Sequence, residues 1–229
     1  MGFTIAVALS AGLTTNSVSI PSAPRWLTAS RVNKISDRVE RVLEWSIRRV
    51  QVRWYEQENE FQKAVALPGN TVSVLAVAKR NENAIHIGTR VTSENFDAVF
   101  GHELAHIIMF QKYKDAIPKW LEEGLANYAA RNGKIDYQYL ENQLQKAGSK
   151  IDVREMSHPF KETKVEPKFH YFASTALIEM ISSKCRIADL LQLAVGQKLE
   201  SYLGTFCNIK DVNSDFTKWV KRKAGTGTS

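Results

Sequence analysis

Apolar positions along the chain follow two periods, and the change from one to the other marks out the elements. From Val32 to Trp45 they fall at Val32, Ile35, Val39, Val42 and Leu43, with charges between, which predicts an amphipathic helix. Ile47 to Tyr55 (IRRVQVRWY) then alternates, placing Val50, Val52 and Trp54 on one side of a half-buried strand. Glu56 to Ala66 returns to helical composition until Pro68-Gly69 breaks it. Thr71 to Ala78 and Ala84 to Gly88 are strand-like and flank the polar turn Lys79 to Asn83, a hairpin pattern. Beyond them the pattern is helical. Ser93 is placed to cap a helix from about Glu94 to Tyr113, and Pro118 to open another from Lys119 to Arg131, stopped by Asn132-Gly133. Further helices are expected over Asp136 to Ala147, from Phe169 through IADLLQLAV, and over Asp215 to Arg222, with an irregular stretch from Gly148 to Lys168. Strands precede helices instead of alternating with them, so the fold class is α+β.

The apolar helix that starts near Glu94 carries the chemistry. His102-Glu103-Leu104-Ala105-His106 is an H-E-x-x-H motif. A four-residue step on a helix turns through about 400° and rises roughly 6 Å, so both imidazoles leave one face and can share an ion. Glu103, one position beyond the first histidine, can reach a water at that ion. Seventeen residues after His106, Glu123 lies within WLEEGLA and can complete the donor set. Two neutral imidazoles, one carboxylate and an open position are what a catalytic zinc requires. The bland alternative, two surface histidines on an amphipathic helix, fits poorly with Leu104, Ala105, Ile107 and Ile108 around them.

These residues carry a resemblance. HELAH followed by WLEEGLA resembles the gluzincin branch of zincin metallopeptidases, and Val32 to Arg222 is similar to the compact peptidase MA-like domains of that clan. The resemblance implies a zincin-like fold with a small N-terminal mixed sheet over the active-site helix and a mainly helical C-terminal half. It implies one Zn2+ per chain held by His102, His106 and Glu123, with Glu103 as the base. Glu123 is chosen over Glu122 because the family's ligand immediately precedes Gly; Glu122 then points about 100° away, to solvent or a supporting role. Asn127, one turn on, stands where relatives often carry an Asp that orients a ligand histidine, and it can accept the same hydrogen bond without the charge. Family members draw an oxyanion donor from the C-terminal half, where Tyr171 and His170 are adjacent candidates and His158 an outlying one. The strand Ala84, Ile85, His86, Ile87 and Gly88 is expected to form the sheet edge that borders the cleft and pairs with an extended peptide. His86 is read as packing or outward-facing, and Gly148 to Lys168 as a cleft wall or lid.

Composition adds bounds. The 229 residues are 44% hydrophobic and 24% charged, an ordinary globular make-up for a single domain over residues 25–222. The net charge of +7 is dispersed, and no basic stretch interleaves with aromatics, which excludes nucleic acid as partner. A peptide or protein substrate is the expected partner, and oligomeric state is open. Residues 1–24 are apolar, then Ser/Thr-rich, and uncharged before Arg25, read as a signal peptide or disordered leader of an exported protein. Their apolar run is too short to span a bilayer. Residues 223–229 read as a disordered tail. Cys185 and Cys207 match no zinc pattern: they are either a disulfide worth roughly 3 kcal/mol or two buried thiols. Two other functions fit the same pattern. One is a zincin-fold binding or assembly module with weak or absent catalysis; the other is a metal-dependent hydrolase of a non-peptide amide.

Overall fold

The computed structural model describes residues 9–10, 12–66, 74–131, 134–146, 167–194 and 199–226. They fall into two compact units, residues 1–112 and 113–229. His158 and most of the segment from Gly148 to Lys168 lie outside the described residues.

The first unit is built on a five-stranded mixed sheet. Its strands are β2 (Leu13–Thr14), β3 (Val18–Ile20), β5 (Val50–Trp54), β6 (Ala76–Lys79) and β7 (Ala84–Ile87), in the order β2-β3-β5-β7-β6. β1 (Leu9–Ser10) and β4 (Ala23–Pro24) form a separate antiparallel pair. The alternation in VQVRW becomes the burial pattern of β5, with Val50, Val52 and Trp54 inside and Gln51 and Arg53 outside. β3, β5 and β7 run parallel, while β6 returns antiparallel to β7 through a short 3-10 turn at Arg80–Glu82. The stretch 13–24, read from its composition as leader, contributes β2 and β3 to this sheet, and Val18 and Ile20 are fully buried.

One expectation is corrected here. Ala84–Ile87 is not the sheet edge: β7 pairs with β5 on one side and β6 on the other, and all four of its residues are buried. Taking β5 as a parallel neighbour leaves the outer position of the hairpin to β6.

Helix α1 (Ala29–Leu43) buries Val32, Ile35, Val39 and Leu43, the stripe seen in the sequence, and Thr28 caps it by accepting from the Arg31 N–H. Each fully buried Val or Leu side chain stabilises the fold by about 1.5–3 kcal/mol. Helix α2 (Glu58–Val65) follows β5 and buries Phe61 and Val65. Helix α3 (Phe96–Tyr113) begins later than the Ser93 cap anticipates. Ser93 is engaged otherwise: its hydroxyl accepts from Arg31 at 3.0 Å, while the Arg31 Nε–Asp97 pair closes at 2.7 Å. The same guanidinium lies over Trp26 and Phe96, in an aromatic cluster with Trp54 and Phe100. Arg31 thus ties the start of α3 to α1.

The second unit is helical. It comprises α4 (Lys119–Ala130), α5 (Tyr137–Lys146), α6 (Pro167–Ser182), α7 (Ile187–Ala194), α8 (Leu199–Cys207) and α9 (Val212–Thr226). α4 ends where Arg131 adopts a left-handed conformation, φ 52°. α4 lies against α6 at very short range, because a Cβ built on Gly124 would meet the Ser174 carbonyl oxygen at 2.5 Å. Tyr137 donates to Glu179 and accepts from the Trp219 indole at 3.3 Å, which joins α5, α6 and α9. Burial and the Glu179 carboxylate push the Tyr137 hydroxyl pKa well above its ordinary range. Cys185 and Cys207 are disulfide-bonded, which resolves their two readings and fastens the turn after α6 to the end of α8.

Candidate metal centre and active site

α3 is apolar around its motif: Leu104, Ala105, Ile107 and Ile108 are all buried, so the face on that side of the helix is packed. His102 and His106, one turn apart, bring their Nε2 atoms to 3.1 Å with the rings edge to face. Tetrahedral zinc with bonds of about 2.0–2.1 Å sets two ligand nitrogens roughly 3.3 Å apart, so this pair suits one ion. Glu103 is anchored through one oxygen: its Oε2 accepts the Ala78 backbone N–H at 2.7 Å, which ties the carboxylate to strand β6. That contact leaves no trace in the sequence, because its donor is a backbone group.

On α4, Glu122 and Glu123 sit in consecutive positions, and Gly124 follows because the helix could not otherwise approach α6. The small residue beside the carboxylate therefore has a packing cause. Of the two readings of Glu122, the solvent-facing one does not hold: its side chain is 7% exposed against 12% for Glu123, and Lys119 pairs with both. The Lys119 ammonium lies 2.8 Å from Glu123 Oε1 and 3.2 Å from Glu122 Oε2. Burial alone would lower its pKa; the Glu123 and Glu122 carboxylates outweigh that and leave it raised. The sequence signal for Lys119 is its three- and four-residue spacing to the two glutamates, which the metal-binding pattern alone does not include. Asn127 is buried one turn beyond Glu123.

Among the described residues, one group of three or more His, Cys, Asp or Glu side chains is arranged to hold a metal ion. It consists of His102, His106 and Glu123, whose donor atoms all lie within 4.8 Å of one another. The donor set, two imidazoles and a carboxylate, fits the zinc that the sequence implies.

The remaining candidates divide. His170 and Tyr171 are neighbours on α6 in opposite environments, His170 4% exposed and Tyr171 39%. His86 is a packing residue, as read: it stacks on Tyr55, whose hydroxyl meets its Nδ1 at 2.8 Å, and its Nε2 lies 3.5 Å from Glu82. Burial lowers its pKa, against the attraction of Glu82.

The family model of the Peptidase MA superfamily matches residues 44–220. Among solved structures, the chain is similar to the M1 zinc metallopeptidase from Deinococcus radiodurans, with a TM-score of 0.48 and 14% identity. That alignment covers 93% of this chain and 51% of the other, so the chain spans about half the length of that structure. No curated protein matches.

Proposed function

The chain belongs to the Peptidase MA superfamily, and from that premise we propose that it is a zinc-dependent peptidase that hydrolyses peptide bonds. The observation that carries the reading is the convergence of His102, His106 and Glu123 donor atoms within 4.8 Å. These three side chains would hold the ion. When bound, zinc polarises a scissile carbonyl and lowers the pKa of an attacking water.

Glu103 accepts the proton of that water as the nucleophile forms and passes it to the leaving amine. Its fixed tether to Ala78 supports this role, since a general base works best when its carboxylate is already oriented. An extended peptide is received by β6, one of the two edge strands among the described residues, through main-chain hydrogen bonds. Tyr171, the more exposed of the two adjacent candidates, is assigned as donor to the developing oxyanion in preference to buried His170. The disulfide supports an oxidising compartment, in keeping with export. Among the described residues no helix is long and apolar enough to cross a membrane.

The test combines metal analysis with cleavage of a peptide mixture. Wild type is expected to contain one zinc per chain and to cleave until chelated. Glu103→Gln should keep the metal and lose turnover by several orders of magnitude, Tyr171→Phe should lower kcat with zinc retained, and His106→Ala should lose zinc. Full zinc occupancy in His106→Ala, or undiminished cleavage by Glu103→Gln, refutes the assignment. Asn127, uncharged and buried beside the ligand-bearing turn, favours a second reading as a zinc-binding module without turnover. Zinc binding with no cleavage of any peptide decides for it.

A further inference from the structure

α4 opens with a placement that needs an explanation. Lys119 is its first residue, directly after Pro118, which makes no side-chain cap. A cation in the first turn opposes the helix dipole, and this one is largely withdrawn from water, at 26% side-chain exposure. What compensates is a pair of carboxylates one turn on, and the shorter contact, 2.8 Å, goes to Glu123. Glu123 is also the carboxylate a divalent cation would need. Glu122, the more buried of the two, holds the same ammonium at 3.2 Å.

We propose that Lys119 is a resident competitor for the metal ion and that Glu122 is the counter-charge that makes the exchange possible. This rests on the reading of Glu123 as a zinc ligand. Without an ion, Lys119 neutralises Glu123. With an ion, the negative charge of Glu123 is drawn to it and Glu122 retains the lysine, so that the ammonium is not left unpaired beside a second cation. The arrangement sets zinc affinity below what the three ligands alone would reach, and it makes the effect of Glu122 conditional on Lys119.

The experiment measures zinc dissociation constants by competition with a chelator on the full chain, alongside Tm of the metal-free protein. Removal of a charged partner of a ligand changes metal affinity about 10–100-fold. Lys119→Met is expected to tighten zinc by about tenfold or more on that scale, and Glu122→Gln to weaken it by a similar factor. In the double variant the Glu122→Gln effect should vanish, leaving the affinity of Lys119→Met. Lys119→Arg, which keeps the charge, should stay close to wild type. If Lys119→Met does not fold, Lys119→Gln serves the same comparison.

A lowered Tm with unchanged or weaker zinc binding in Lys119→Met would show that the lysine only secures the start of α4, and overturns the proposal. So does a Glu122→Gln effect that persists without Lys119. Glu123→Gln separates the two layers. If it weakens zinc while Lys119→Met changes nothing, the exchange alone is wrong; if it leaves affinity untouched, the ligand assignment falls and the exchange with it.

Discussion

Replacing Gly124 by alanine adds one methyl group at the closest approach of α4 to α6. The new carbon would stand 2.5 Å from the Ser174 carbonyl oxygen, 2.8 Å from Ile178 Cγ1 and 2.9 Å from the Ser174 carbonyl carbon. Ordinary contact begins at 3.4 Å, so one helix must retreat by roughly 0.9 Å. Two of the three obstructing atoms are backbone and cannot swing aside. Overpacking of this kind costs about 1–3 kcal/mol. Alanine recovers some of it, about 0.5–1 kcal/mol, because glycine is a poor residue inside a helix. The net expectation is a loss of up to about 2.5 kcal/mol, centred at about 1 kcal/mol, measured as a shift in the urea midpoint by far-UV circular dichroism. Gly204→Ala is the control: its Cβ meets nothing nearer than 3.9 Å, so the propensity gain is unopposed and stability should rise by about 0.5–1 kcal/mol. Zinc affinity should fall in Gly124→Ala alone, since the displaced turn carries Glu123. A Gly124→Ala protein as stable as Gly204→Ala would refute the claim that this glycine is dictated by helix approach.

Two further outcomes follow from the units taken separately. Replacing both Cys185 and Cys207 by serine should lower stability by about 3 kcal/mol, given the 22-residue separation they close. The same bridge should appear as a mobility shift between reduced and unreduced samples from the native compartment, and its absence there would count against export. His86 carries a pH dependence: burial holds its folded pKa below the unfolded value, so the unfolded chain binds the extra proton as pH falls. Its contribution is intact above the ordinary histidine range and is lost as pH drops through that range toward the lower folded pKa. The urea midpoint should therefore fall between about pH 7 and 5, and His86→Gln should flatten that slope; an unchanged slope would show that another group is responsible.

The parts legible in the sequence were those that one element specifies by itself. The stripe of α1 and the alternation of β5 each follow from a period and a burial face, and both appear, with Val42 alone of the expected positions only half-buried. The histidine pair was legible for the same reason, since a four-residue helical step fixes its geometry. What escaped depends on partners far along the chain. Nothing local in AIHIG tells whether β5 will pair beside it, so its pattern alone predicts an edge where the structure has β7 flanked by β5 and β6. Val18–Ile20 lies in a Ser/Thr-rich stretch whose composition matches a leader, and its strand character comes from pairing with β5. Ser93 has the chemistry of a cap, but Arg31, 62 residues away, uses it. For Glu122, helical rotation leaves solvent and a supporting role both open, and only the packed structure, with Lys119 beside it, decides against solvent.

The hydrogen bond between Ala78 and Glu103 has a bearing on solubility as well as on proton transfer. An outermost strand with unclaimed main-chain donors invites another molecule to extend the sheet, and here a carboxylate from α3 covers one of them. Alanine at position 103 would uncover that donor and encourage self-association, whereas glutamine keeps an oxygen to receive it. Loss of activity in the alanine variant could therefore reflect clumping, and the glutamine variant reports on chemistry alone.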